Sequence, residues 1–248
     1  MPPADRIFAL LEQEFTVEDV RAAVSKAVEP VANPGLGPHN SLLDLSTMPD
    51  GRCRLVTTNF DRVFQLARPG VPEILPPTLP DPRRTSWEGI VHLHGMVRPD
   101  YSGAASEEFV LSSADFGRAY LADGWATTFM RALMERYRIV FVGYSADDPP
   151  IQYLLEALSR SAKPGRLYAF HSGEAGEAAA LWRHKGVSAI PFQGFPALWS
   201  SIEAWGKRAR DPDAWRRSIV AAAQRGPRSL LPHERGPVSL YTSDAADD

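Results

Sequence analysis

The sequence has almost no cysteine and no long apolar run. One cysteine, Cys53, among 248 residues excludes an internal disulfide and any metal site that needs several thiolates. Although Arg52 and Arg54 flank this thiol and would favour its thiolate, a small strand residue is the preferred interpretation. No apolar stretch approaches the roughly 20 residues that span a bilayer, and the start of the chain lacks the pattern of a secretory signal. We therefore expect a cytoplasmic protein without a membrane partner.

An excess of basic charge is also absent. The chain has 27 Lys and Arg against 30 Asp and Glu, and its pI is about 6.1. This balance provides no basic footprint, so no direct nucleic-acid binding is predicted. Four tryptophans that could suggest base stacking lie on apolar faces of predicted helices, which indicates core packing instead. They are Trp182, Trp199, Trp205 and Trp215.

Strand-like runs alternate with helical ones along most of the chain. The strand-like runs are CRLVTTNF, GIVHLHGMV, RIVFVGY, RLYAFHS and VSAIPF. Helices are predicted twice within 5–28, from Asn40, in DRVFQLA, near 111–119 and 125–137, and in IQYLLEALSR and EAGEAAALWRHKG. The proline-rich stretch 68–84 is predicted to be a loop or a polyproline-like connection. This alternation predicts an α/β fold with a Rossmann-like parallel sheet and flanking helices.

The composition changes after about residue 195. Residues 1–195 are predicted to form the principal domain, and 196–236 to form a helical extension that continues into a region outside this sequence. The final residues, 237–248, contain LYTSDAADD, which resembles the translation of an adapter used to prepare sequencing libraries. We expect this tail to be non-native.

Polar residues collect where three predicted strands end. The three motifs are TTNFD at 57–61, HLHG at 92–95 and GYSADD at 143–148. Because ligands bind at the carboxyl ends of parallel strands, the three motifs are expected to meet at one site.

Each of these residues also has a structural interpretation. Asn59 and Asp61 stand where a helix N-cap is common. A lone histidine beside glycine, such as His94, is often structural. Gly143 is compatible with a simple turn.

The order of the motifs resembles the sirtuin-like family, particularly its bacterial branch associated with defence. A strand ends in TTNFD, a proline-rich loop leads to HLHG, helices follow, and a buried strand ends in VGYSADDP. The resemblance covers roughly Ile7 to Phe192 and includes RLYAFHS and LWRHKGVSAIPF. It implies a Rossmann-like core that takes NAD as its substrate.

The resemblance also implies roles for individual residues. Asn59 would orient the ribose and an attacking water, and His94 would be the catalytic histidine. An imidazole can accept a proton near neutral pH, and an amide can hold a hydroxyl in place without adding charge. The residues implied to contact NAD are Thr57, Thr58, Asp61, Gly95, Gly143, Tyr144 and Ser145.

Two departures from the family pattern affect the interpretation. No glycine-rich GAGxS strand–turn–helix precedes Ile7, so we expect a core that lacks its first strand, has an uncovered sheet edge and binds NAD poorly as a fragment. A single cysteine cannot build the four-cysteine zinc module of the protein deacylases, so no zinc is expected. Asp147 and Asp148 are interpreted as a solvated helix start rather than a metal site.

The sequence therefore predicts an NAD hydrolase that cleaves the nicotinamide–ribose bond. The resemblance implies an antiviral effector that depletes NAD when a C-terminal sensor or partner region detects infection, and a homo-oligomer is compatible with it. Three alternatives stay open: a catalytically silent module that binds NAD or ADP-ribose, an NAD-dependent deacylase without zinc, and an unrelated Rossmann-like domain. Hydrolysis and cyclisation of NAD are not distinguished at this stage.

Overall fold

The first two helices form as the sequence predicts. The computed structural model of the protein describes residues 3–84, 86–144, 155 and 166–224. Helix α1 spans Ala4–Glu14 and helix α2 spans Val17–Ala27. The Thr16 hydroxyl oxygen accepts the backbone N–H of Asp19 at 3.1 Å, which satisfies a free donor at the start of α2.

The segment that leads into the first sheet contains one longer helix and one short one. Helix α3 spans Gly37–Ser46 and begins before the predicted Asn40, because Pro38 is well accommodated in a first helical turn. Strand β1 covers Arg54–Thr57, and helix α4 covers Val63–Ala67.

The first sheet has three parallel strands in the order β1, β3, β2. Strand β3, Gly89–His92, lies in the middle, and all four of its residues are buried. Strand β2, Glu73–Ile74, forms inside the proline-rich stretch that was predicted to be a loop or a polyproline-like connection. That prediction was wrong at these two residues, because the edge of β3 supplies hydrogen bonds that local sequence does not reveal.

Helical structure connects the two sheets. Ser112 and Asp115 form a capping box that opens helix α5, Ser113–Gly117. A π-helical turn, Arg118–Ala122, follows directly, and helix α6 then spans Trp125–Arg136. The predicted helices near these positions are thereby confirmed.

The second sheet is also parallel and has the order β4, β5, β6. Its strands are β4 at Ile139–Phe141, β5 at Leu167–Ser172 and β6 at Ser188–Phe192, with helix α7 at Ala175–Arg183 between the last two. The predicted helix IQYLLEALSR lies outside the described residues except for Leu155, which is buried.

The parallel α/β class is confirmed, but the described strands are divided between two sheets. Strands β1 and β4 each pair on one side only within the part of the chain that the structure describes. A shared apolar core joins the two sheets, with α6 side chains packed between residues of both. Its members include Val91, Leu93, Phe129, Met130, Leu133, Leu167, Ala169 and Trp182.

The C-terminal helices pack against the N-terminal part of the chain. Helix α8 spans Phe195–Arg210 and lies along α3, and helix α9 spans Pro212–Gln224. The Asp44 carboxylate on α3 pairs with Arg210 at 3.3 Å and with Arg68 at 2.7 Å. The predicted helical extension is therefore in contact with the main body.

The tryptophan prediction is correct for one residue and wrong for another. Trp182 is fully buried, as expected, but Trp205 is 44% exposed on α8. The Arg208 guanidinium lies 3.9 Å from the ring centroid of Trp215, so a cation–π contact covers this half-buried ring. No helix within the described ranges is both long and apolar enough to cross a bilayer.

We expect Ile202→Ala to lower the free energy of unfolding by about 2–5 kcal/mol, because Ile202 is fully buried where α8 packs. Val220→Ala on α9 is the control, since Val220 is 52% exposed and its loss should change stability by less than about 0.5 kcal/mol. Urea unfolding of the three proteins measures both values. Equal values for the two variants would show that α8 does not belong to the cooperative core.

Candidate functional site

The carboxyl ends of β1 and β3 lie side by side. Thr57 is opposite His92 in the parallel register, and the Leu93 N–H donates to the Thr57 carbonyl at 2.8 Å. Asn59 and His94 each follow two residues later, so they leave neighbouring strands at the same edge of the sheet. This is the edge at which parallel α/β folds bind ligands.

Both main-chain polar groups of Asn59 contact buried side chains. Its N–H donates to the Thr57 hydroxyl oxygen at 3.1 Å, and its carbonyl oxygen lies 3.3 Å from Nδ1 of His92. The Asn59 side chain is exposed and makes no hydrogen bond to the described part of the chain. The backbone is thus fixed while the amide is available to a ligand.

The structural interpretation as a helix-capping residue fits Asp61 better than Asn59. Asp61 precedes Arg62, the N-cap of α4, and its Oδ1 accepts the backbone N–H of Val63 at 2.9 Å, which satisfies a free donor at the start of the helix. No such bond comes from Asn59. This contact gives Asp61 a structural role, and its proposed contact with NAD stays a prediction. Among the described residues, no hydrogen bond gives the Asn59 side chain such a role.

His94 lies in the core and not at the surface. Its ring is 3% exposed, its Nε2 lies 2.8 Å from the Tyr120 hydroxyl, and the rings of Phe116 and Tyr120 meet it edge-on. Burial lowers the pKa of His94 to about 4, so the ring is neutral at physiological pH. To reach a substrate, His94 needs the Phe116–Tyr120 face to move, or it must act through the Tyr120 hydroxyl.

Gly95 has a conformational reason to be glycine. Its φ is +88°, and a Cβ at this position would lie 2.6 Å from the Glu108 carbonyl oxygen. Its N–H donates to the His92 carbonyl at 2.9 Å and closes the turn after β3. The turn directs His94 away from the strand, and the proposed contact of Gly95 with NAD stays a prediction.

The third predicted motif follows β4, in the other sheet. Gly143 has φ +69°, and no described residue other than its chain neighbours lies within 4 Å of where its Cβ would be. The Tyr144 ring packs 5.7 Å from the ring of Phe141. Thr58, from the first motif, is half-buried directly after β1. Ser145 and the pair Asp147 and Asp148 lie outside the described residues.

An open cleft of about 370 Å³ lies beside α4. Two shielded polar atoms in it have no hydrogen-bond partner in the described chain, Gln65 Oε1 and the Tyr101 hydroxyl oxygen. Burial is the main cause of the raised pKa of Tyr101. The lining residues are Glu29, Pro30, Arg62, Gln65, Leu66, Pro99 and Tyr101. No cluster of three or more metal-ligating side chains occurs among the described residues.

Local sequence does not indicate Tyr120, or the contacts by which Thr57 and His92 hold the site. Tyr120, the partner of His94, lies in the π-helical turn Arg118–Ala122, and no local signal marks it. The contacts of Thr57 and His92 with the Asn59 main chain depend on the β1–β3 register. The HLHG motif was the local signal, since it marked both histidines although it did not indicate their partners.

The fold and the site together define a parallel α/β domain with polar residues gathered at strand ends. The family model for the SIR2-like domain matches residues 54–190, from the start of β1 into β6, which is more than half of the chain. The chain belongs to the SIR2-like domain family.

One curated relative shares much of this chain. "Uncharacterized protein y4cA" of Sinorhizobium fredii (strain NBRC 101917 / NGR234) is 36% identical over 240 residues, which covers 89% of this chain and 20% of the relative. The chain therefore spans about a fifth of the length of this curated relative.

We expect Gly95→Ala to lower the free energy of unfolding by about 2 kcal/mol or more, because the new Cβ would collide with the Glu108 carbonyl in a left-handed backbone conformation. Gly70→Ala is a matched control, since Gly70 has φ +89° but open space around it. The difference between the two variants in urea unfolding measures the collision alone. Identical losses would contradict this account of the turn.

The two buried histidines predict a loss of stability in acid. His92 and His94 have pKa values of about 4 in the folded protein against 6.5 when unfolded, so between these values the unfolded chain binds more protons. The free energy of unfolding should fall as pH decreases from about 6.5 to 4, at most by about 1.4 kcal/mol per pH unit for each histidine. Urea unfolding across this range measures the slope. The His94→Gln variant, which cannot titrate, should give a shallower slope, and an unchanged slope would contradict the assignment.

Proposed function

We propose that the protein cleaves the nicotinamide–ribose bond of NAD. The observation that carries this proposal is Asn59, whose exposed amide has no hydrogen-bond partner among the described residues and extends from a main chain held at both its N–H and its carbonyl. It stands at the ligand-binding edge of a SIR2-like domain. A rigid backbone with a free amide is what orientation of a ribose hydroxyl and a water requires.

The proposed reaction depends on the placement of the reacting groups more than on a strong acid catalyst. The bond between nicotinamide nitrogen and ribose C1′ breaks, and nicotinamide leaves as a neutral molecule because it carries a positive charge in NAD. The oxygen of a water molecule forms the new bond to C1′, and the proton that this water loses goes to a base. Asn59 orients the water, and His94 accepts the proton once its ring, or the Tyr120 hydroxyl bound to it, reaches the site.

One cysteine in this chain cannot provide the four-cysteine zinc module, which argues against a zinc-dependent deacylase and leaves a deacylase without zinc as an alternative. We also propose that the full-length protein depletes NAD as part of an antiviral defence. Because the chain spans about a fifth of its relative, a sensing region that controls NAD depletion would lie in the remaining sequence of the full-length protein.

A second candidate function is a binding module that holds NAD or ADP-ribose without turnover. The burial of His94 against Tyr120 favours this alternative, because a general base at 3% exposure is not placed to accept a proton from substrate. The two functions differ in whether nicotinamide is released.

The test follows nicotinamide release from NAD by the full-length protein that contains this chain. We expect Asn59→Ala and His94→Ala each to lower kcat by about 100-fold or more, because each removes a group that acts in the bond-breaking step. Asn40→Ala on α3 is the control for loss of an asparagine elsewhere and should retain the wild-type rate.

The outcomes separate the two functions. Release that disappears in both site variants and persists in Asn40→Ala supports the hydrolase. NAD binding measured by calorimetry without any release supports the binding module. Release that is unaffected by Asn59→Ala would rule out the assigned role of this residue.

A further inference from the structure

We propose that His92 is a positioning residue for Asn59, acting as a neutral ring that donates from Nδ1 to the Asn59 carbonyl while Gln65 fixes its tautomer. The mechanistic value of this arrangement rests on the proposed cleavage of NAD, whereas the arrangement itself can be tested without it. His92 is not assigned to contact the substrate.

The contacts of His92 use both nitrogens of its ring. The ring is fully buried at the end of β3, the central strand of the first sheet. Its Nδ1 lies 3.3 Å from the Asn59 carbonyl oxygen, and its Nε2 lies 2.8 Å from Nε2 of Gln65 on α4. One buried side chain thus connects a helix to the backbone of the residue that presents the exposed amide.

The chemistry of the two neighbours determines the tautomer. A carbonyl oxygen can only accept, so the nitrogen facing Asn59 must carry the proton. A neutral ring has one proton, so its other nitrogen must accept, and the Gln65 amide nitrogen is the donor that it meets. The reverse orientation of the Gln65 amide would place oxygens against both nitrogens and would require a charged ring.

The surroundings of His92 keep the ring uncharged. Burial is the largest influence and lowers its pKa to about 4, and the Arg62 guanidinium at the start of α4 acts in the same direction. The hydrogen bond to the Asn59 carbonyl and the charge of Asp61 oppose these effects without overcoming them. The neutral Nδ1–H form is therefore the form present at physiological pH.

The bond holds the Asn59 carbonyl, while the Thr57 hydroxyl accepts the Asn59 N–H. Loss of either contact leaves the backbone between β1 and α4 free to rotate, and the exposed amide rotates with it. A misplacement of this kind lowers the rate of an oriented reaction much more than it lowers substrate affinity.

The first experiment reads the tautomer directly. Nitrogen-15 NMR of the histidine-labelled protein near neutral pH is expected to show His92 as the Nδ1–H form. In Gln65→Leu, which removes the donor to Nε2, the signal should move towards a mixture of both tautomers. A dominant Nε2–H form in the wild type would overturn the proposal, whatever the protein does to NAD.

The second experiment measures kcat and KM for nicotinamide release in the full-length protein. We expect Gln65→Leu to lower kcat about tenfold with KM little changed, and the Gln13→Leu control on α1 to match the wild type. Because Gln65 is only half-buried, this variant is expected to fold, and its thermal unfolding is measured alongside. An unchanged kcat in folded Gln65→Leu would overturn the proposal.

A pair of variants at His92 separates positioning from packing. His92→Asn keeps an amide donor close to the place of Nδ1, whereas His92→Leu fills the same space without a donor. We expect His92→Asn to retain at least several-fold more activity than His92→Leu, and equal activity would contradict a positioning role. A wild type that shows the Nδ1–H form but releases no nicotinamide would overturn only the proposed function.

Discussion

The parallel pairing of β1 with β3 is the interaction on which the candidate site depends. Its register places Thr57 opposite His92, and from that single alignment follow the contacts of both with the Asn59 main chain and the exit of His94 from the next strand. A shift of one residue would turn every side chain of β3 to the opposite face. The complete burial of β3 prevents such a shift, because its apolar residues fit the core in one register only.

A shared apolar core explains how strands that are divided between two sheets still belong to one folded unit. Side chains of α6 and residues of both sheets form a common apolar core, so cohesion does not need a continuous ladder of strand hydrogen bonds. At the same time β1 and β4 each keep an edge without a described strand partner. The residues proposed to act on NAD follow the carboxyl ends of β1 and β3, in the sheet to which the β1 edge belongs.

The sequence predicted those features that depend on local patterns. Alternating strands and helices, the capping signals at Thr16 and Ser112, and the gathering of polar residues at strand ends all follow from residues that are close together in the chain. Other features depend on contacts between distant segments, which no local pattern encodes. Strand β2 exists because β3 offers a free edge, and His94 is buried because Tyr120 and Phe116 cover it. The role of His92 likewise needs Gln65, which is contributed by a separate helix.

The contact between α3 and α8 has a consequence for how the chain folds during synthesis. Asp44 and Arg210 come from opposite ends of the described chain, so α3 leaves the ribosome long before the helix that covers it. At typical translation rates this interval lasts about ten seconds or more, far longer than a helix needs to form. During this interval the side of α3 that α8 later covers is exposed, and it must not bind another segment of the nascent chain. The charged groups of Asp44 and Arg68 suit this purpose, because they keep that side hydrated until α8 arrives.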